Sequence, residues 1–513
     1  MTEKYEELKT RLAAIHDLRM ARAILGWDQH TMMPPKAGPV RAEQLGTLDR
    51  FSHELFIDDE IGKLLEDVRD YEESLDPDSD DASLIRVTRR DYEKSKRVPS
   101  ELRAEMTRTG AHALAAWVEA REKSDFSIFL PYLKKNVELQ HQYIDCFEGM
   151  GYENEYDVLL DDFDEGLKTD AVREVFDELK RGLVPLIAEI AEHADRVDDS
   201  SLHGEIPIAG QRDFALTMLE RFGYDHESWR LDPTVHPFAM SAGTTDIRLT
   251  TRYDENDLGV SLFASIHEFG HGYYEAGVDP ALERSVLSSV TSMSLHESQS
   301  RMWENLVGRG LPAWRFFFPK LQEAFPGQFG NVEIDEYYRA INKVQPSLIR
   351  VEADEATYNL HIILRFEVEQ EMLSGELPLE DLPEAWNARM AEYLGVEVPD
   401  DAHGVLQDVH WSGGAIGYFP TYALGNVISV QLWDQLRAEL PDLDSQFEQG
   451  EFGELGKWLR ENLHRHGRKY TSREMLERIV GGPMDPAPYL GYLRQKLGEI
   501  YGLPVETGAA KHG

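Results

Sequence analysis

The sequence predicts a mainly α-helical fold carrying one small sheet. Apolar residues recur at intervals of three and four along most of the chain, one short region alternates with a period of two instead, and no internal repeat interrupts the pattern. Leu8, Leu12, Ile15 and Leu18 open the chain as a helix. The polar, turn-rich stretch Asp76-Pro77-Asp78-Ser79-Asp80-Asp81 reads as a linker. It divides a single expected domain into an N-terminal helical cover, 1–80, and a body, 81–505, with a frayed tail at 506–513. Val172, Phe176, Leu179 and Leu183 form a further helical stripe, which Pro185 should break or kink.

Val235 to Met240, the turn Ser241-Ala242-Gly243, and Asp246 to Thr250 read as strand, turn and strand. The Gly-rich aromatic stretch Ala415 to Pro420 is expected to add a third strand.

Directly after the hairpin comes His267-Glu268-Phe269-Gly270-His271. Leu262, Phe263, Ile266, Phe269 and Tyr273 give an apolar stripe at helical spacing, and Gly277 followed by Pro280 supplies the stop. On that helix, positions i and i+4 lie on one face, so both imidazoles can reach one metal ion. Glu268, about 100° further round, is placed to act as general base on a metal-activated water. Gly270 costs about 1 kcal/mol in a helix relative to alanine, which makes sense if another backbone or a substrate comes close.

A catalytic zinc site normally has three protein ligands and an open position. The next helical segment, Leu287 to Val307, holds His296-Glu297-Ser298-Gln299 and offers Glu297 as the third. Ser294-x-x-Glu297 equally fits a capping box, in which the glutamate only satisfies a helix start, and His296 is a competing ligand. An edge strand beside such a helix can pair with an extended peptide.

Charge narrows the function further. With 94 acidic against 53 basic residues the net charge is −41, which repels nucleic acid and anionic membranes. An aromatic content of 10% argues against disorder, and the acidic excess of a globular chain points to a protein working in concentrated salt, where screening shortens to about 3 Å at 1 M. Cys146 is the only cysteine, so neither a disulfide nor a thiolate cluster forms within the chain, and an inert buried thiol is expected. The N-terminus is charged where a signal peptide is apolar, and no run of 18 apolar residues exists, so the expected location is the cytoplasm.

Six motifs now stand in order: His236-Pro237-Phe238, Asp246-x-Arg248-x-Thr250, the His267 motif, His296-Glu297-Ser298-Gln299, Ile349-Arg350-x-x-Ala353-Asp354, and Gly404-x-x-Gln407-Asp408-x-His410-Trp411. Together with Trp27-Asp28-Gln29 and Met33-Pro34-Pro35 they make the chain resemble the M32 family of metallocarboxypeptidases over nearly its full length. The resemblance implies a large helical zincin-like body with a deep active-site channel, a small antiparallel sheet beside it and a helical N-terminal cover. It further implies a homodimer, a zinc ion for which cobalt can substitute, and removal of single residues from peptides with a free C-terminus, with broad specificity. On this reading zinc is held by His267, His271 and Glu297, and Glu268 is the base. His410 (through its motif) and Tyr418 and Tyr422 (through position and chemistry) are the candidates for stabilising the oxyanion. Arg350, then Arg248, are the candidates for gripping the substrate carboxylate, with His236 a further substrate contact. Either arginine could instead be spent on an internal pair, Arg350 with Asp354 and Arg248 with Asp246. His296, Gln299, Asp354, Asp408 and Trp411 are expected to orient ligands or line the channel.

Overall fold

The structure, a computed structural model, describes residues 2–504. The tail expected to fray lies outside the described residues. Contacts divide the chain into two units: one holds the residues up to Lys96, Asp199–Ile341 and Leu432–Pro483, the other Arg97–Asp198, Asn342–Gln431 and the chain from Met484 on.

The first unit opens with helices Thr2–Thr31 and Gly38–Phe56, packed on each other. Leu8, Leu12 and Ile15 bury the predicted stripe with Phe56, Ile61, Leu64 and Ile85, and the same cluster takes in Val278, Leu282 and Leu287 from the segment after the histidine motif. Each such aliphatic side chain contributes roughly 1.5–3 kcal/mol on burial. Helix Asp80–Arg97 follows the polar linker and packs into this same cluster through Leu84, Ile85 and Val87.

The sheet of this unit has three strands, β1 (Trp229–Pro233), β2 (Ala239–Ser241) and β3 (Ile247–Thr251), in the order β1-β3-β2. The predicted antiparallel hairpin is β2 with β3, pairing Ala239 with Leu249 and Ser241 with Ile247. Its first strand is shorter than expected because Pro237 has no N–H to donate to a ladder. Thr250 holds the bend instead: its hydroxyl accepts from the Phe238 N–H at 2.7 Å and donates to the Phe238 carbonyl at 2.8 Å. Strand β1, unforeseen, pairs parallel with β3 in the register Trp229 to Ile247.

In the second unit, helix Thr169–Ala191 runs through Pro185 rather than stopping there. Val172, Phe176, Leu179 and Leu183 before the proline, and Leu186, Ile187 and Ile190 after it, are all buried. That continuous apolar face outweighs the roughly 3 kcal/mol cost of an interior proline. The stretch Ala415 to Pro420 is not a strand. A 3₁₀ turn, His410–Gly413, leads through irregular chain to helix Pro420–Glu439, and Gly414 and Gly417 take φ of 73° and 91°, which no strand accommodates. Cys146 is half-buried rather than buried; what burial it has raises its thiol pKa. Among the described residues, no helix is long and apolar enough to cross a membrane.

Candidate active site

The histidine motif lies on helix Leu258–Gly277, started by Asp257, whose carboxylate accepts the Gly259 N–H at 2.7 Å. Leu262, Phe263, Ile266 and Phe269 bury its apolar face. A second helix, Met293–Arg301, packs against it. The two lie close together at Gly270, where a Cβ would stand 2.5 Å from the Gln299 carbonyl oxygen and from Ser300 Cα. The glycine is therefore there for a neighbouring backbone.

The cap of the second helix is Ser292, whose hydroxyl accepts the Leu295 N–H, so Ser294 and Glu297 form no capping box. Glu297 is left for the site. Its Oε2 lies 3.4 Å from His271 Nε2 and 3.7 Å from His267 Nε2, and one donor atom from each of the three residues lies within 4.8 Å of the others. All three side chains are largely buried.

Around them the charges are set. Burial disfavours a charged Glu297, but Arg301, His267 and His271 outweigh it and hold the carboxyl well below its usual range. Burial, with His296 alongside, pushes His271 down to about 3, so its ring is neutral. For His267 burial acts the same way, yet the Glu297 and Glu304 carboxylates prevail and raise its pKa. Glu268 is 6% exposed; burial, despite the opposing His267, pushes its carboxyl up to about 7.

His296 is not among the converging groups. Its ring stacks on His271 at 4.1 Å between centroids, and its Nε2 meets Glu275 Oε1 at 3.1 Å. Gln299 hydrogen-bonds His464 at 2.8 Å and the Ser298 hydroxyl at 3.1 Å. Arg248 makes a two-pronged pair with Asp246 at 2.8 and 2.9 Å and lies over the Trp27 ring at 4.6 Å. His236 is exposed in the bend between β1 and β2.

The second unit carries the remaining candidates. Arg350 is 5% exposed and pairs not with Asp354 but with Asp408, at 2.7 and 3.1 Å, while its third nitrogen donates to the Tyr358 hydroxyl. Arg365 grips the same Asp408, and the two guanidinium groups hold that carboxyl well below its usual range against the effect of burial. Asp354 instead accepts the backbone N–H groups of Gln345, Ala356 and Thr357. His410 lies 3.3 Å from the Tyr422 hydroxyl, with Tyr418 and Tyr422 ring to ring at 5.2 Å. Burial pushes His410 down to about 4. Trp411 donates to Glu369 at 2.7 Å.

Among the carboxylates at these sites that went unread in the sequence are Glu304 and Glu369. Glu304, on the π-helical turn Met302–Val307, meets His267 Nδ1 at 2.9 Å. Its spacing from Glu297, seven residues or two helical turns with Arg301 between, was the available signal. Glu369 carries no local signal, because its partners Tyr156, Trp411 and Gly417 are far off in sequence.

A mainly helical body that sets two imidazoles and a carboxylate around one point, with a glutamate beside the first imidazole, makes a candidate metal centre of the kind metallopeptidases carry. The profile of the family described as Carboxypeptidase Taq (M32) metallopeptidase matches residues 7–497, and the chain belongs to that family. It is 41% identical over 487 residues to thermostable carboxypeptidase 1 of Thermus thermophilus, covering 94% of this chain and 95% of that one. Identity to carboxypeptidase 1 of Bacillus subtilis is 39% over 482 residues, with the same coverage of 94% and 95%. The solved structure of the M32 carboxypeptidase of Deinococcus radiodurans superimposes with a TM-score of 0.94 at 40% identity, covering 98% of this chain and all of that one. The protein is thus a metal-dependent carboxypeptidase acting on peptides, and its family implies a divalent ion.

Proposed function

We propose that His267, His271 and Glu297 hold a zinc ion, replaceable by cobalt, and that Glu268 is the general base in removing single residues of broad identity from peptide C-termini. The observation that carries this is the convergence of the three side chains. Tetrahedral zinc bonded at about 2.0–2.2 Å puts its donors roughly 3.4 Å apart. The 3.4 and 3.7 Å from Glu297 to the two imidazoles fit that spacing. Two nitrogens and one carboxylate oxygen suit zinc, whereas magnesium and calcium favour all-oxygen sets.

When bound, the ion supplies Lewis-acid polarisation and a lowered pKa for the attacking water. The chain does the rest. Glu268, its carboxyl raised by burial, accepts a proton from that water and returns it to the leaving amine. Neutral His271 offers a lone pair without first losing a proton. Oxyanion stabilisation is assigned to His410, Tyr418 and Tyr422, and the substrate carboxylate to Arg350, then Arg248, with His236 a further substrate contact. Arg350 and Arg248 already hold aspartates, so binding there requires the carboxylate to join or displace Asp408 or Asp246. Family membership further supports a homodimer, which sedimentation would test, and we extend the reading to a cytoplasmic location, which cell fractionation would test.

The deciding experiment is Glu268→Gln. We expect the variant to retain one metal ion per chain and to lose turnover by about 10²–10⁴-fold. Full activity with bound metal would remove Glu268 from the mechanism. A panel of peptides differing only in the last residue tests breadth, and a C-amidated member cleaved as fast as the free acid would contradict the assigned carboxylate recognition.

A further inference from the structure

We propose that Glu304 is a positioning residue for the metal centre: it fixes the His267 ring in the tautomer whose Nε2 lone pair faces Glu297. The inference rests on the metal centre proposed above and adds a residue that none of the six sequence motifs contains.

An ionised carboxylate can only accept hydrogen bonds. Glu304 Oε2 lies 2.9 Å from His267 Nδ1, so the ring proton of neutral His267 belongs on Nδ1 and Nε2 is left bare. Among the described residues, no such partner reaches Nδ1 of the other imidazole. His271 Nδ1 is buried with no hydrogen bond, and that ring is set by stacking on His296. The tautomer of the pair is therefore specified at one ring, by one carboxylate.

Glu304 is itself firmly held. Arg301 reaches its Oε2 at 3.4 Å and Arg309 its Oε1 at 3.3 Å, and the Arg309 guanidinium lies 3.7 Å from the centre of the Phe263 ring on the histidine helix. Arg301 also donates from Nε to Glu297 Oε1 at 2.7 Å, so one arginine positions both carboxylates. The backbone beneath is unusual. Residues 302–307 form a π-turn, closed by the Gly308 N–H on the Trp303 carbonyl at 2.7 Å. Such turns are rare and concentrate at functional sites. Carboxylates that orient metal-ligating histidines typically change metal affinity 10–100-fold when removed.

The competing explanation is an ion-pair cluster that only stabilises the fold. Cobalt(II) affinity, measured by competition with a chromophoric chelator on the full chain, separates the two, with far-UV circular dichroism checking the metal-free fold. Glu304→Ala should weaken affinity about 10–100-fold. Glu304→Gln, whose amide oxygen can still accept from Nδ1, should lose less. Arg309→Met, which removes one of the two arginines on Glu304 but leaves the Glu304–His267 bond, should weaken cobalt binding less than either Glu304 variant. Affinity unchanged in both Glu304 variants, or lowered equally by Arg309→Met, would overturn the proposal. Should the alanine variant not fold, Glu304→Gln against Arg309→Met decides alone. His267→Ala and His271→Ala separate the two failures: if both bind cobalt normally the metal centre itself is wrong, and if only they lose binding, Glu304 has no positioning role.

Discussion

At Glu369 burial and hydrogen bonding pull in opposite directions. The side chain has no exposed surface, and burial pushes its carboxyl up to about 7, although Tyr156, Trp411 and the Gly417 N–H all donate to it. An acid whose folded-state pKa is raised keeps its proton in the native chain at pH values where the unfolded chain has lost it. Its contribution is fully present below about 4.3 and disappears as pH rises toward 7. The amplitude is about 3–4 kcal/mol. Thermal midpoints of the unaltered protein should therefore fall more steeply between pH 5 and 8 than those of Glu369→Gln; parallel slopes would contradict this. Residues differ in legibility for a related reason. His267 and His271 were readable because four residues along a helix is a local relation. For Arg350, spacing alone offered nearby Asp354 as the alternative internal partner, while Asp408, with which it pairs, lies 58 residues away.

The pair of helices is the element on which the site depends, and Gly270 marks how closely they must approach. Adding a methyl group there puts it against backbone, which cannot swing aside as a side chain would. Gly270→Ala is expected to cost about 1–3 kcal/mol and to shift Glu297 away from the imidazoles. It should lower both the thermal midpoint and the metal content of purified protein, and full metal occupancy at an unchanged midpoint would count against the account. The histidine helix, its stop at Gly277 and the β2–β3 hairpin were legible because each rests on local pattern and turn chemistry. Strand β1 was not, since a parallel partner carries no turn signal. The π-turn was equally hidden, because residues 302–307 keep helical periodicity in sequence while their hydrogen bonds change. At Ala415 to Pro420 aromatic and aliphatic residues suggested a strand, but Gly414 and Gly417 use left-handed backbone to make a turn.

For the whole molecule, 94 acidic side chains against 53 basic ones leave a self-repulsion that salt should relieve. Many of the ion pairs are exposed and local, such as Lys4–Glu7, Glu105–Arg108 and Glu119–Lys123, and pairs of this kind add little. The thermal midpoint is expected to rise between 0.05 and 2 M KCl, and a flat profile would contradict a salt-adapted surface. The family profile runs through both units, from residue 7 to 497. Six motifs in order made that family legible, while the division into units follows from contacts between distant segments that no local pattern announces. The account stands or falls on the metal, and anomalous diffraction at the zinc edge from zinc-loaded crystals tests it most directly. A single strong peak about 2.0–2.2 Å from His267 Nε2, His271 Nε2 and Glu297 Oε2 is the predicted result. A fully loaded crystal whose zinc binds elsewhere, with those three side chains free, would contradict it.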